Sequence, residues 1–339
     1  MSDKPTLLTL VTGASGFVGN NLVRHLLQLG RKVRALIYRD DESLRGLEID
    51  RVTGDVRDPA GLKRAMQGVD VVYHLVAAIS IDNGQSRTHL DTVNVEGTAN
   101  VVQACLDSGV QRLIHFSSIH AISYFPKDTA ISESRDLALD AVRHLPYDHA
   151  KAKGELQVLK GVQHGLDAVI LNPVGIFGPN DFRPSPTGEL LLQLAQRKLP
   201  ALVRAGYYWV DVRDVVRTAL AAEQRGRCGQ RYILAGEYAT FKSIADWIQQ
   251  TTGAKPPRLH VPIWLARPAA PLVARLSRLA GHRPLITPET IQIITCHQKI
   301  ATNRAREELG FRPRSIRDSV RDSINWLLDH AKSRATSLQ

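Results

Sequence analysis

Cysteine is scarce in this chain: 3 among 339 residues (Cys105, Cys228 and Cys296), far apart and never in a Cys-x-x-Cys pair. That excludes a disulfide framework and a structural zinc site, and it fits a reducing, cytoplasmic setting. Aromatic residues amount to only 6% and no Lys/Arg block stands out, so the formal charge of +11 reads as a solvated basic surface. A nucleic-acid partner is not expected. The 12 histidines show no HExxH or clustered spacing, so no metal site is expected. No run of about 20 apolar residues occurs, so nothing is expected to span a bilayer. The nearest approach, 261–279, is broken by Pro262, Arg267, Pro268, Pro271, Arg275 and Arg278. It reads as an amphipathic helical stretch, packed as core by first preference and touching a membrane surface by second. The start of the chain carries Asp3 ahead of an apolar run that enters a glycine loop, which does not read as a signal peptide.

What the chain has is length and alternation. Its 339 residues and 43% apolar content suffice for two lobes with buried cores. In the first half, β runs at 7–11, 32–37, 51–53, 69–76, 112–117 and 168–171 alternate with helical patterns at 20–29, 58–66, 93–108 and 149–163. Such alternation predicts βαβ units and a parallel sheet with helices on both faces, binding ligands beyond the carboxyl ends of its strands. After Pro173 the pattern changes. The segment 178–188 is rich in Pro, Asp and Gly and reads as a long loop, mobile until a ligand orders it; helices at 189–198 and 212–223 and a strand at 231–234 follow. The expected fold class is α/β. A Rossmann-type, doubly wound parallel sheet takes 1–174 and is rejoined by 211–238; a smaller, mostly helical substrate lobe takes 175–339, with a frayed tail over 332–339.

The first strand runs into Gly13-Ala-Ser-Gly16-Phe-Val-Gly19, at the start of the first helix. Three glycines in that context make a dinucleotide loop. Gly13 permits the turn, Gly16 lets backbone reach a pyrophosphate, and Gly19 lets the helix pack close to the strand. Ser15, Phe17 and Val18 go with the loop as cofactor-binding positions. At the end of the second strand, where a ribose-binding acid is usual, stand Ile37 and Tyr38, followed by Arg39. An arginine there suits a 2′-phosphate, which favours NADP, with NAD the close rival because Asp40 and Asp41 follow at once. Asp55 and Val56, after the third strand, stand where an adenine would lie.

Tyr147 and Lys151 are four residues apart and face the same side of a helix. A phenol titrates near ~10, and a neighbouring cation lowers that value, so the pair can exchange a proton with a carbonyl or alcohol oxygen. Ser117 and Ser118 end the preceding strand at the sheet's carboxyl edge, where a hydroxyl can hydrogen-bond the reacting oxygen. His120, two residues on, is as readily a loop residue as a substrate contact, and Tyr207, Tyr208 and Trp209 read as core before pocket wall.

These segments, with Gly54-Asp-Val-Arg-Asp58, Val93-Asn94-x-x-Gly97-Thr98, Asn172-Pro-Val-Gly175 and Val210-Asp-Val-Arg-Asp214, resemble the extended short-chain dehydrogenase/reductases in order and spacing. Within them the chain looks most like the dihydroflavonol-4-reductase-like and 3β-hydroxysteroid-dehydrogenase-like reductases. The resemblance implies a catalytic set of Ser118, Tyr147 and Lys151, with Lys151 also holding the nicotinamide ribose. It places Leu75, Val76, Ala77, Ser117, Asn172, Pro173 and Val174 along the cofactor, and it suggests a homodimer through the long helices starting near Val93 and His149, with a monomer the other reading. Sugar-nucleotide dehydratases carry Thr-Asp-Glu where this chain has Ser118-Ile-His120, and the Tyr-Gly pair usual in sugar epimerases is replaced within Ala121-Ile-Ser-Tyr124. The expected function is therefore an NAD(P)-dependent oxidoreductase interconverting a ketone and a secondary alcohol on a fairly apolar small molecule. A nucleotide-sugar epimerase is the alternative, and a non-catalytic NAD(P)-binding regulator the third reading.

Overall fold

The computed structural model describes residues 7–79, 86–279, 284–296 and 299–336. The first half runs β1 (Leu8–Thr12), α1 (Phe17–Gln28), β2 (Lys32–Ile37), β3 (Asp50–Thr53), α2 (Pro59–Ala65), β4 (Val71–His74), α3 (Arg87–Asp91), α4 (Gly97–Asp107), β5 (Arg112–Phe116), α5 (Pro146–Gln163) and β6 (Ala168–Pro173). The second half runs β7 (Gly175–Phe177), α6 (Pro186–Ala195), β8 (Ala201–Val203), β9 (Gly206–Asp211), α7 (Val212–Arg225), β10 (Arg231–Leu234), β11 (Glu237–Thr240), α8 (Phe241–Thr252), β12 (Leu259–Val261), α9 (Ile263–Leu279), α10 (Pro288–Cys296), α11 (Asn303–Leu309) and α12 (Ile316–Thr336).

Seven strands form one parallel sheet in the order β10-β6-β5-β4-β1-β2-β3. The apolar runs of β1, β4 and β6 are what strands buried on both faces require. The fold is a Rossmann-type α/β fold. On one face Leu10, Leu62, Met66, Val101, Leu113 and Val158 pack the sheet against α2, α4 and α5. On the other, Leu22 and Leu26 of α1 and Val215 and Ala219 of α7 pack on Val11, Tyr73 and Ile114. That second core continues without a break into Ile244, Ile248, Ile316, Val320 and Ile324 of α8 and α12. Two small sheets, β11-β9-β7 and β12-β8, and the helices α6 and α8 to α12 complete the smaller part.

Four features differ from what the sequence suggests. Helix α5 begins at Pro146, three residues before the expected start, because Pro suits a first turn; Tyr147 and Lys151 therefore share it. Segment 178–188 is not a free loop. Asn20 and Asn21 of α1 donate to the carbonyls of Asn180 and Pro179, buried Asp181 accepts from the Ser185 amide and hydroxyl, and α6 already starts at Pro186. Helix α12 is regular through Thr336, so the expected fraying from Lys332 does not begin there, and 337–339 lie outside the described residues. Finally, α9 buries only Ala266, Ala270 and Ala274; its leucines face solvent, so it is not the core helix expected. No described helix is long and apolar enough to cross a membrane.

The position of α5 depends on one close approach. A Cβ on Gly154 would overlap the carbonyl oxygen of Asn94, in the π-helical turn Thr92–Glu96 between α3 and α4. Backbone cannot step aside as a side chain can. Gly154→Ala should therefore lift α5 and destabilise the fold by roughly 1–3 kcal/mol, as overpacking does, while lowering turnover because Tyr147 and Lys151 ride on that helix. Urea unfolding together with steady-state kinetics checks this; wild-type values for both would show that α5 tolerates the displacement.

Candidate active site

The strand order reverses between β1 and β4, and a crevice opens there at the carboxyl ends of both strands. The glycine loop fills its floor. Gly13 has a left-handed backbone (φ +69°), and a Cβ on it would stand 2.9 Å from the Leu75 carbonyl carbon and the Val76 nitrogen. The next helix, α1, has no acidic residue in its first turn and no side chain capping its Gly16 start. Its first amides and its dipole are thus available to an anion, and the loop fits a pyrophosphate.

The proton-transfer candidates stand beside this loop. Tyr147 and Lys151 lie one turn apart on α5, both buried, and Ser118 follows β5. Ser118 acts on the Tyr147 phenol and draws its pKa down, and the Ser118 hydroxyl accepts from the His120 amide at 3.3 Å. Lys151 Nζ donates to the Phe116 carbonyl at 3.0 Å. His120, which sequence alone leaves undecided, belongs to the site. Its Nδ1 bonds Asp148 Oδ1 at 2.9 Å and its ring meets Tyr147 edge-on, centroids 5.5 Å apart. Asp148 is fully buried, and its other oxygen accepts from the Leu145 amide at the head of α5.

The electrostatics differ from the expectation in one respect. Burial pushes the Tyr147 phenol well above an ordinary phenol, Ser118 pulls it down and Asp148 pushes it up; Lys151 is not among the causes. The ammonium spends its hydrogen bond on a backbone carbonyl instead. Burial brings Lys151 itself down from 10.5 to about 8, opposed by Glu155. Behind it, burial and the Lys151 charge hold His74 down at about 3 and His115 well below the usual imidazole value, so both are neutral. The His74 tautomer follows from its partners. The Thr98 hydroxyl gives its proton to the Asn94 carbonyl, so His74 Nε2 donates to Thr98 and Nδ1 accepts from Thr12.

A cavity of 450 Å³ collects Ser118, His120, Tyr147 and Lys151. Of the sequence-derived positions, Gly13, Gly16, Phe17, Val18, Gly19, Leu75, Ala77, Ser117, Ser118, Tyr147, Lys151, Pro173 and Val174 line it. Val56 and Val76 do not; both pack into the core on the α2/α4 face. Asn172 does not either. Its amide is buried and donates to the Ser118 carbonyl and to Glu155 Oε2, both at 2.9 Å, so it braces the strand end that carries the serine. Ser15, Tyr38, Arg39 and Asp55 stand outside the cavity. Tyr38 is exposed, and both Arg39 and Arg57 donate to its hydroxyl at 3.0 Å. Arg57 also chelates Asp55, which holds that carboxyl below its ordinary value.

The far wall comes from the second half. Ile176, Leu190, Tyr207, Trp209, Phe241 and Ile294 are among its residues. Trp209 and Tyr207 stand on β9 and serve as core and wall together. No motif marks this wall; only the alternation along β9 hints at it. Among the described lining residues Lys151 is the only formally charged one; His120 and the phenols Tyr147 and Tyr207 are the other titratable groups.

Residues 9–235 match the NAD dependent epimerase/dehydratase family. The chain is 37% identical over 324 residues to sterol demethylase protein B of Methylococcus capsulatus, covering 94% of this chain and 98% of the relative. It is 34% identical to a putative dihydroflavonol 4-reductase of Synechocystis, covering 94% of each. The crystal structure of gox2253 superposes with a TM-score of 0.83 at 32% identity, covering 95% of this chain and 98% of that one.

The buried ammonium has a consequence for stability. With Lys151 at about 8 in the fold and 10.5 unfolded, the fold at neutral pH carries a desolvated charge, a cost on the order of 3 kcal/mol. The sign follows from proton counting. Between those two values the unfolded chain holds the proton that the fold has released, so stability rises with pH across that window. Lys151→Met should therefore raise the midpoint of thermal unfolding at neutral pH, abolish that rise, and remove turnover. A variant less stable than wild type at neutral pH would show that the ammonium is held by more than the site requires.

Proposed function

The chain belongs to the NAD dependent epimerase/dehydratase family, among the extended short-chain dehydrogenase/reductases, and from that premise we propose that it is an NADP-using oxidoreductase that interconverts a ketone and a secondary alcohol on an apolar small molecule. The observation that carries this reading is a cavity in which Ser118, Tyr147 and Lys151 meet walls of aliphatic and aromatic side chains. A nucleotide sugar brings a diphosphate, and the described walls of the second half offer it no cation. The sterol in the name of the Methylococcus capsulatus relative supports the same class, a ring-bearing apolar alcohol or ketone.

The bound nicotinamide supplies or accepts the hydride. The chain's own groups manage the oxygen. A buried phenol that stays protonated at neutral pH is a proton donor, which suits reduction: Tyr147 gives its proton to the carbonyl oxygen while the Ser118 hydroxyl, already in its hydrogen-bond range, orients that oxygen. The Lys151 ammonium, one turn along α5, is the one formal positive charge among the described lining residues and the group that can answer the phenolate once the proton has left. His120 and Asp148 fix the side of the phenol ring.

The preference for NADP rests on the end of β2. Two guanidiniums, Arg39 and Arg57, converge on the Tyr38 hydroxyl, with ring-centroid distances of 4.7 and 5.7 Å. The carboxylates that could select an unphosphorylated ribose are engaged elsewhere: Asp40 with Arg183 and the Glu42 amide, Asp41 with Arg51.

Following cofactor absorbance with apolar cyclic ketones, secondary alcohols and nucleotide sugars tests the reaction. Turnover with the first two and none with the third is expected, and Tyr147→Phe should cut kcat by roughly a hundredfold to ten-thousandfold with cofactor binding retained. Sugar epimerisation would replace this reading. For the cofactor, Arg39→Ala should lower kcat/KM for NADP by roughly tenfold or more and leave NAD nearly untouched; an unchanged ratio would move the phosphate elsewhere.

A further inference from the structure

Helix α9 is built the wrong way round for a helix that belongs only to its own core. Its 17 residues make a rod about 26 Å long. The buried face is three alanines, Ala266, Ala270 and Ala274. The larger side chains point outward: Trp264 and Leu279 are each 76% exposed, Leu272 62% and Leu276 56%. Leu265, Leu272, Leu276 and Leu279 fall within about 60° of one another around the axis, roughly 150° from the alanines. Exposed Arg267, Arg275 and Arg278 share an arc with Trp264 along one flank of that stripe. From Lys255 to Leu279 the chain carries 5 basic residues and no acidic one.

We propose that α9 lies flat on the surface of an anionic lipid bilayer, with its leucine stripe in the acyl boundary and its arginines on the phosphates. The charge decides between occupants. A second copy of the same face would set Arg267 and Arg275 against their own copies, with no acidic residue on α9 to answer them. A bilayer bearing anionic headgroups offers the opposite sign over a whole plane, and exposed leucines gain from burial there at about 25 cal/mol per Å². The arginines can extend their stems along the apolar boundary and keep their charge at headgroup level, and a tryptophan suits the same depth. The length excludes the alternative of spanning, since two prolines and three arginines interrupt a rod shorter than a bilayer needs.

The position of α9 gives the contact a use. It packs on α10, and Pro284, Leu285, Ile293 and Ile294, on or just before α10, line the apolar cavity. The docked face and the cavity wall therefore belong to one helical pair. A lipid-soluble ligand would arrive from the side on which the protein rests. That consequence depends on the proposed reaction; the docking does not.

Co-sedimentation with phosphatidylcholine vesicles, with and without phosphatidylglycerol, tests the proposal without measuring catalysis. Wild type is expected to pellet with the anionic vesicles, to remain in solution with the neutral ones, and to detach as salt screens the headgroups over about 10 Å. The double variant Leu272→Ser/Leu276→Ser should lose affinity on the order of tenfold or more. Arg267→Ser/Arg275→Ser should lose the preference for phosphatidylglycerol. All four positions are exposed, so thermal unfolding should match wild type and separates a surface effect from misfolding. Three results would each overturn the proposal: no pelleting with anionic vesicles, equal pelleting with both compositions, or a dimer in light scattering that the leucine variant dissolves.

Discussion

A lysine ammonium under a protein surface needs acceptors or a reason to be there, and Lys151 has one hydrogen bond, to the Phe116 carbonyl. Much of the sheet's carboxyl edge can be understood as what tolerates that charge. His74 and His115 lie behind it and stay neutral, their rings 5.3 Å apart, because a further cation there would add repulsion to desolvation. Glu155, one turn further along α5, supplies opposing charge, yet it is itself tied to Arg231 on β10 and to Asn172 on β6. The field around the ammonium is therefore set by residues from both halves of the chain. Such an arrangement is costly for folding and useful for chemistry, the combination expected where a site is kept charged and dry.

The second half contributes more than a cover. The core against α1 and α7 runs unbroken into α8 and α12, and Trp209 packs on Phe177 and Phe241 while also facing the cavity. Wall and core are the same side chains there. A change of cavity shape is thus also a change of packing, which ties the choice of substrate to the stability of that half.

How legible this was in the sequence depends on whether a signal is local. The glycine loop announces itself because backbone geometry demands glycine at Gly13 whatever lies around it. Tyr147 and Lys151 can be paired because helical spacing alone sets them on one side. The seven-stranded sheet is implied by the alternation of periods. What could not be read is direction across the fold. Asn172 and Val76 sit at the right chain positions, but their side chains turn inward, and a strand's inward face is settled by packing and not by motif. The same limit hid α9. Its pattern is amphipathic either way, and only the three-dimensional arrangement shows that the alanines, not the leucines, are inside. The direction of the Tyr147 shift is not legible for a different reason: helical spacing sets the ammonium on the phenol's side, but Lys151 donates to the Phe116 carbonyl, and burial raises the phenol.

The strand β10 closes the sheet beside β6, with Ile233 opposite Asn172, although about sixty residues of chain separate the two. Until that strand is synthesised, β6 is an open edge whose unpaired amides and carbonyls can recruit any extended segment nearby. The buried glutamate under it waits for Arg231 as well. The order of synthesis therefore matters. A nascent chain that has finished its glycine loop, its catalytic helix and its first six strands still lacks the piece that seals them, and a chaperone has its natural moment of engagement between the emergence of β6 and that of β10.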